Sequence, residues 1–225
     1  MQKSEKWKIT GAILCAVLIV AVFTAGYDKL DVIGSGSVTA FQKILNTVPD
    51  LVTEQEDTWT LEAPDGTTAF HWSKDYTDTT YDVSLETDLE PFVNAGLDTS
   101  LLPEGMVDED KLIIGKNIDD VSTAEADSAL SAYQTFEQSG RELLGFHTSL
   151  GHFGINMENA AFEWAQDIEE NDKDIVFVID PQILIDAGVN PEKVEGWNYT
   201  TVQMMNGKGK EIEVYKFLKP FDIDS

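Results

Sequence analysis

Cysteine is almost absent from this chain, because Cys15 is the only one among 225 residues. A single cysteine cannot form a disulfide within the chain, and it cannot build the paired-cysteine sites that hold structural zinc. The sequence is therefore not a disulfide-stapled scaffold. Its fold must be held by a hydrophobic core, for which a hydrophobic content of 42% provides the material.

Positive charge is also scarce. The chain has 15 Lys and Arg against 41 Asp and Glu, and Arg141 is the only arginine. The formal net charge of −26 excludes a phosphate-binding surface and with it a nucleic-acid partner. The simplest interpretation of the acidity is a solvated surface that stays soluble by self-repulsion.

Only one stretch is both long and free of charge, and it lies at the N-terminus. Residues 9–27 form an uncharged apolar run, and residues 1–8 before it carry Lys3, Lys6 and Lys8. About 20 apolar residues cross a bilayer as a helix, and basic residues favour the cytoplasmic side. We expect a single-pass anchor at 9–27 behind a cytoplasmic flank at 1–8, with the rest of the chain outside the cell membrane. A cleaved signal peptide is the alternative.

A short motif occurs twice, first as AFHWSKD from Ala69 and again as AFEWAQD from Ala161. At the same spacing of 92 residues, Asp88 matches Asp180 and Gly96 matches Gly188, while Trp72 and Trp164 lie within the two motifs. Self-similarity at a fixed offset indicates internal duplication. After a linker at 28–36, we expect a first repeat at 37–118 and a second at 119–225, related by a pseudo-twofold axis.

Each repeat predicts an α-β-β-β-α-β unit, and so an α+β fold. The first helix of the second repeat is expected over 122–145, with Leu143 and Leu144 on its apolar stripe. The repeated motif is predicted to be a strand, because its Phe and Trp lie two residues apart. Asp88 and Asp180 are predicted to cap the short second helix, and Gly96 and Gly188 to end it in a left-handed conformation.

Residues that the two repeats do not share are the candidates for function. None of the three histidines is duplicated: His71 matches Glu163, while His147 and His152 match Gln55 and Thr60. Imidazole nitrogens are natural ligands for zinc or copper. The candidate ligand or metal residues are His147, His152, Met157, Glu158, Glu163 and Asp167.

The metal hypothesis has competitors. Two residues five apart point to opposite faces of a straight strand, and the spacing matches no strong zinc motif. Ordinary loop histidines, or contacts to a small ligand, are the alternatives.

Nucleophilic catalysis has no support, because the chain lacks both GxSxG and a cysteine after the apolar run. The sequence favours a non-catalytic, membrane-anchored binding module of the cell envelope, with a small ligand or another envelope protein bound between the repeats. The second hypothesis is a metal- or cofactor-binding protein, or an enzyme, that uses His147 and His152. The triplet at Asn198 also fits a glycosylation acceptor.

Overall fold

The structure is a computed structural model, in which residues 37–225 form one compact unit. It describes Ala40 and residues 42–48, 50–56, 58–73, 81–116, 144–147, 152–157, 159–166, 173–205 and 210–223. The predicted anchor and linker, residues 1–36, lie outside these ranges. Among the residues that the structure describes, no helix is long and apolar enough to span a membrane.

The first sheet, sheet I, is antiparallel and contains six strands in the order β1-β2-β3-β4-β6-β5. A helix at residues 42–47 (α1) precedes it. The strands are β1 Val52–Glu54, β2 Thr58–Glu62, β3 Thr68–Ser73, β4 Val83–Asp88, β5 Val107–Asp108 and β6 Lys111–Lys116. Between β4 and β5 lie a short helix, α2 Glu90–Asn94, and a 3₁₀ turn, Thr99–Leu101.

The second sheet, sheet II, is also antiparallel and has the same connectivity, β7-β8-β9-β10-β12-β11. Its strands are β7 Leu144–His147, β8 His152–Asn156, β9 Ala160–Ala165, β10 Ile175–Ile179, β11 Asn198–Met205 and β12 Glu211–Phe221. Helix α3 Gln182–Asp186 and the 3₁₀ turn Pro191–Lys193 separate β10 from β11. The hairpin β11–β12 is much longer than β5–β6, its counterpart by order.

The aromatic core lies where β3 and β9 meet. The rings of Phe70 and Phe162 stack at 4.7 Å with an interplanar angle of 6°, and each also stacks on the tryptophan two residues later, Trp72 or Trp164. All four side chains are buried. The two-residue spacing places each Phe and Trp on one face of a strand, so the strand prediction for both motifs is confirmed.

Two short backbone contacts join the loops that follow α2 and α3. The N–H of Asp98 donates to the carbonyl of Ala187 at 2.8 Å, and the N–H of Asn190 donates to the carbonyl of Ala95 at 2.9 Å. Gly96 and Gly188 lie between these bonds with φ of +108° and +99°. The predicted helix-ending role of both glycines is therefore confirmed, and their lack of a Cβ lets the two backbones approach.

The predicted α+β class needs correction, because the described residues are mainly β with only short helices. The sequence underestimated the strands: β1 and β5 are too short to show a periodic pattern, and β7 lies where a helix was expected. Leu144 was assigned to the apolar stripe of that helix, but it begins β7. The remainder of the predicted helix, at 122–143, lies outside the described residues.

Of the two predicted helix caps, that of Asp88 is wrong, and that of Asp180 is confirmed in part. Leu89 occupies the N-cap of α2 without a side-chain bond, and Asp88 instead accepts a hydrogen bond from Lys111 at 2.8 Å. Asp180 stands one residue before the N-cap of α3. Its carboxylate accepts the N–H of Gln182 at 3.0 Å and also binds Lys216 at 2.7 Å. Both aspartates thus serve as ion-pair partners across neighbouring strands.

Candidate functional site

An open groove of about 1030 Å³ lies beside the start of the long hairpin β11–β12. Its lining contains residues of the 3₁₀ turn, of β11 and of β12: Asn190, Pro191, Glu192, Trp197, Asn198, Tyr199, Thr200 and Tyr215. Pockets of this size hold small molecules or short polymers. We call it the hairpin groove.

The wall of the hairpin groove is aromatic. The rings of Tyr199 and Tyr215 stack at 5.0 Å with an interplanar angle of 20°. Tyr199 also contacts the buried ring of Phe217 at 5.4 Å, so the core supports the pair from behind. Tyr215 is 56% exposed. An exposed aromatic ring on a strand, supported by the core, is a ready contact surface for a ligand.

The rim of the hairpin groove is polar and carries little charge. Asn190 caps the 3₁₀ turn by accepting the N–H of Glu192 at 3.2 Å. Because the N–H of the same Asn190 binds Ala95, the groove borders the contact between the two loops. Among the described residues that line the groove, Glu192 is the only acidic or basic one.

His147 and His152 lie in strands, where a loop had been expected. They are register partners at the end of the β7–β8 hairpin where the connection between the two strands begins. Residues opposite each other in an antiparallel ladder share a face of the sheet. The objection that residues five apart point to opposite faces therefore applies to one straight strand and not to this hairpin.

The side chain of His152 is buried beside a buried carboxylate. Its Nδ1 lies 4.0 Å from Oε2 of Glu163, and the two side chains are 1% and 3% exposed. Gly154 lies opposite Glu163 in the ladder. A Cβ at Gly154 would lie only 2.9 Å from Cγ of Glu163, so the glycine makes room for the carboxylate.

The other predicted ligands are only partly brought together. Met157 is buried just after β8, while Glu158 and Asp167 lie outside the described residues. Within the described ranges, no group of three His, Cys, Asp or Glu side chains is placed to hold a metal ion. The structure thus places the side chains of His152 and Glu163 side by side. For His147 it shows only that the residue lies opposite His152 in the ladder.

His71 has a different environment, on the polar face of sheet I. Its Nδ1 forms a hydrogen bond with Thr60 Oγ1 at 2.9 Å, and its Nε2 lies 3.6 Å from Glu86 Oε2. Burial lowers the pKa of His71 below its ordinary value, although the Glu86 and Glu62 carboxylates act in the opposite direction. His71 is therefore suited to stay neutral as a structural residue.

The ladders also correct the expected match of His152 with Thr60. Thr60 lies opposite His71, and Gly154 lies opposite Glu163. If Glu163 takes the place of His71, then Gly154 takes the place of Thr60. His152, opposite Ala165, corresponds instead to Thr58, which lies opposite Ser73.

Lys219 links the two sheets from β12. Its ammonium group binds Asp65 Oδ2 at 3.0 Å, and it donates to the hydroxyl groups of Thr67 and Thr68. Burial alone would raise the pKa of Asp65, but the Thr67 N–H and Lys219 hold this pKa below its usual value. The lysine is buried and fully engaged, so we regard it as a structural link.

Comparison with known proteins adds no assignment: no protein-family model, no curated protein and no solved structure matches this chain. The function must therefore be inferred from the geometry of the site and from the sequence.

Sequence reasoning missed the hairpin groove. The predicted α-β-β-β-α-β unit places only a final strand at this end of the chain and no binding surface. One signal was available, since Tyr199 and Tyr215 stand on strands of alternating pattern, and β5 and β6, their counterparts by order in sheet I, carry no such pair. Pairing them, however, requires the register of β11 with β12, which places Tyr199 opposite Phe217 and Thr201 opposite Tyr215.

Proposed function

We propose that this protein is a membrane-anchored, extracytoplasmic binding module of the cell envelope that uses the hairpin groove. The observation that carries the proposal is the groove itself, with its exposed aromatic wall and its nearly uncharged rim. The groove borders the contact of the two loops, but all the described residues that line it belong to the second expected repeat. The proposed site therefore lies beside the expected site between the repeats and not in it. The basic flank and apolar run at residues 1–27 support export and anchoring.

We also infer that the module arose by duplication of one six-stranded unit. Both sheets have the same strand order. The ion pairs Asp88–Lys111 and Asp180–Lys216 join corresponding strands, β4 with β6 and β10 with β12. Phe70 stacks on Phe162, its own match at the spacing of 92 residues. Contacts between equivalent residues are what a twofold axis produces.

Export predicts that the folded part is open to protease in intact cells. Protease added to cells or protoplasts should digest the chain beyond residue 28 and leave a membrane-bound N-terminal fragment. A cytoplasmic protein of the same cells serves as the control and should stay intact. A protected chain would contradict the proposal, and a soluble form beginning near Gly26 would replace the anchor with a cleaved signal peptide.

A second candidate function is metal binding at His152 and Glu163, with His147 as a third ligand that is placed near them only by its position in the ladder. The observation that favours it is the register pairing of the two histidines beside the buried carboxylate. His152 Nδ1 and Glu163 Oε2 are 4.0 Å apart, and a tetrahedral zinc ion with bonds of about 2.0 Å would draw them to about 3.3 Å, a small movement. The ion would be zinc or copper, according to the preference of imidazole ligands.

Metal content tests this candidate more sharply than stability does. Because His152 is buried, replacing it by Ala leaves a cavity beside Glu163 and should destabilise the protein by about 3 kcal/mol whether or not metal binds. We therefore expect the His147→Ala variant to lose bound zinc or copper, measured by elemental mass spectrometry on the full chain. His71→Ala is the matched control and should keep it. Wild-type protein that binds neither ion after incubation would exclude the site.

A further inference from the structure

We propose that the ligand of the hairpin groove is an uncharged saccharide, bound with one ring against Tyr215 and its hydroxyl groups on the polar rim. This inference rests on the proposed function, since it names the class of ligand that the same groove would take. It follows from three properties of the groove: an exposed aromatic platform, neutral hydrogen-bonding groups and an open shape.

The aromatic platform fits one face of a sugar ring. The C–H groups on such a face are weakly positive, and the face of an aromatic ring is negative, so the two stack with little loss of hydration. Tyr215 offers this face to solvent. Its ring centroid lies 5.0 Å from that of Tyr199, which in turn lies 5.4 Å from that of Phe217, so the two rings support it from behind. A supported ring loses little conformational freedom on binding.

The polar groups of the groove suit hydroxyl partners. The amides of Asn190 and Asn198 and the hydroxyl of Thr200 can each donate and accept hydrogen bonds. Glu192 adds a carboxylate that accepts only. Sugar hydroxyl groups also donate and accept hydrogen bonds, so each of these residues can form a hydrogen bond with one of them.

Charge argues against an ionic ligand of either sign. The described lining residues include no Lys or Arg to pair with a phosphate or carboxylate, and the chain as a whole repels anions with its net charge of −26. A cationic ligand would find only one carboxylate among these lining residues. A neutral ligand meets neither obstacle, and an open groove lets a polymer run through it.

The fold does not require this platform. In sheet I the corresponding strands β5 and β6 have two and six residues, against eight and eleven in β11 and β12. The described residues of sheet I therefore form a sheet without an extended hairpin and without an exposed aromatic side chain on it. Binding explains both the extension and the exposure of Tyr215.

The test uses the full chain, purified in a detergent without a sugar head group and made in a host that does not glycosylate Asn198. Cellohexaose, chitohexaose and maltohexaose are the probes, and isothermal titration calorimetry measures their binding. We expect at least one to bind with a Kd of about 1 mM or tighter. Tyr215→Ala should weaken this binding at least about tenfold, and Thr200→Val, which keeps the side-chain shape, by a smaller factor.

Leu101→Ala is the matched control, since Leu101 is 62% exposed and lies in the 3₁₀ turn that corresponds to Pro191–Lys193. It should bind as the wild type does. Failure of all three saccharides to bind, or equal binding by Tyr215→Ala, would overturn the proposal. If no saccharide binds but a photo-reactive residue at position 215 cross-links to an envelope protein in cells, the saccharide proposal is wrong and the proposed binding function stands. If that residue cross-links to nothing, both the saccharide proposal and the proposed binding function are wrong.

Discussion

Replacing Gly188 by Ala is expected to lower the free energy of unfolding by about 2–4 kcal/mol. Two effects combine at this residue. Its φ of +99° is unfavourable for any side chain, and an added Cβ would lie 2.9 Å from the carbonyl oxygen of Gly96. Backbone atoms cannot move aside as the end of a side chain can, so the loops must separate and strain the bonds from Asp98 and Asn190. Urea unfolding followed by tryptophan fluorescence measures the change.

The glycine pair provides its own controls. Gly96→Ala should cost as much as Gly188→Ala, because its Cβ would meet the Gly188 carbonyl at 3.0 Å. Gly196 also has positive φ, +77°, but no atom lies within 4 Å of an added Cβ. Gly196→Ala should therefore cost only about 1 kcal/mol. Equal losses of unfolding free energy in all three variants would show that the close contact of the loops contributes nothing to stability.

Truncating either stacked phenylalanine should have an effect at least as large. Phe70→Ala or Phe162→Ala removes a buried ring from the contact between sheets I and II and is expected to cost about 3–5 kcal/mol. Calorimetric melting of the full chain measures the loss. The two variants should be destabilised about equally, because each removes the same contact from opposite sides.

A double-mutant cycle tests whether the rings interact directly. Leu replaces Phe at both positions, because it fills most of the volume and keeps the protein folded. Stacking at 4.7 Å predicts a coupling of about 0.5–1.5 kcal/mol between Phe70→Leu and Phe162→Leu. Strictly additive losses would mean that the rings are independent and that the two sheets do not meet at this pair.

Local patterns predicted the elements whose cause is local. The two-residue spacing of Phe70 and Trp72 predicted β3, and a helix-ending glycine predicted the positive φ of Gly96 and Gly188. Comparing the two motifs helped, because AFEWAQD alone is compatible with a helix. The apolar run of β10, Ile175–Ile179, likewise fits its central position, since it pairs with both β9 and β12.

Elements determined by distant partners could not be predicted in this way. Asp88 fits a helix cap by position, but a lysine on β6, far along the chain, offers a stronger partner for its carboxylate. His147 and His152 stand in a glycine-rich stretch that resembles a loop. The pairing of β7 with β8 makes that stretch a hairpin, and the pairing of β8 with β9 adds it to the sheet. The hairpin groove likewise depends on the register of two strands, which no single segment encodes.

Photo-cross-linking from the hairpin groove is the sharpest test of binding there, because it captures a ligand whatever its identity. The full chain, expressed in its own cells, carries benzoylphenylalanine, which keeps an aromatic ring at position 215, in place of Tyr215 in one strain and of Leu101 in another. Both positions are exposed, at 56% and 62%; position 215 lies in sheet II, and position 101 in the connection between β4 and β5 of sheet I. We predict a discrete covalent adduct from position 215 and none from position 101. No adduct from 215, or the same adducts from both positions, would contradict the proposal that this protein binds its partner in the hairpin groove.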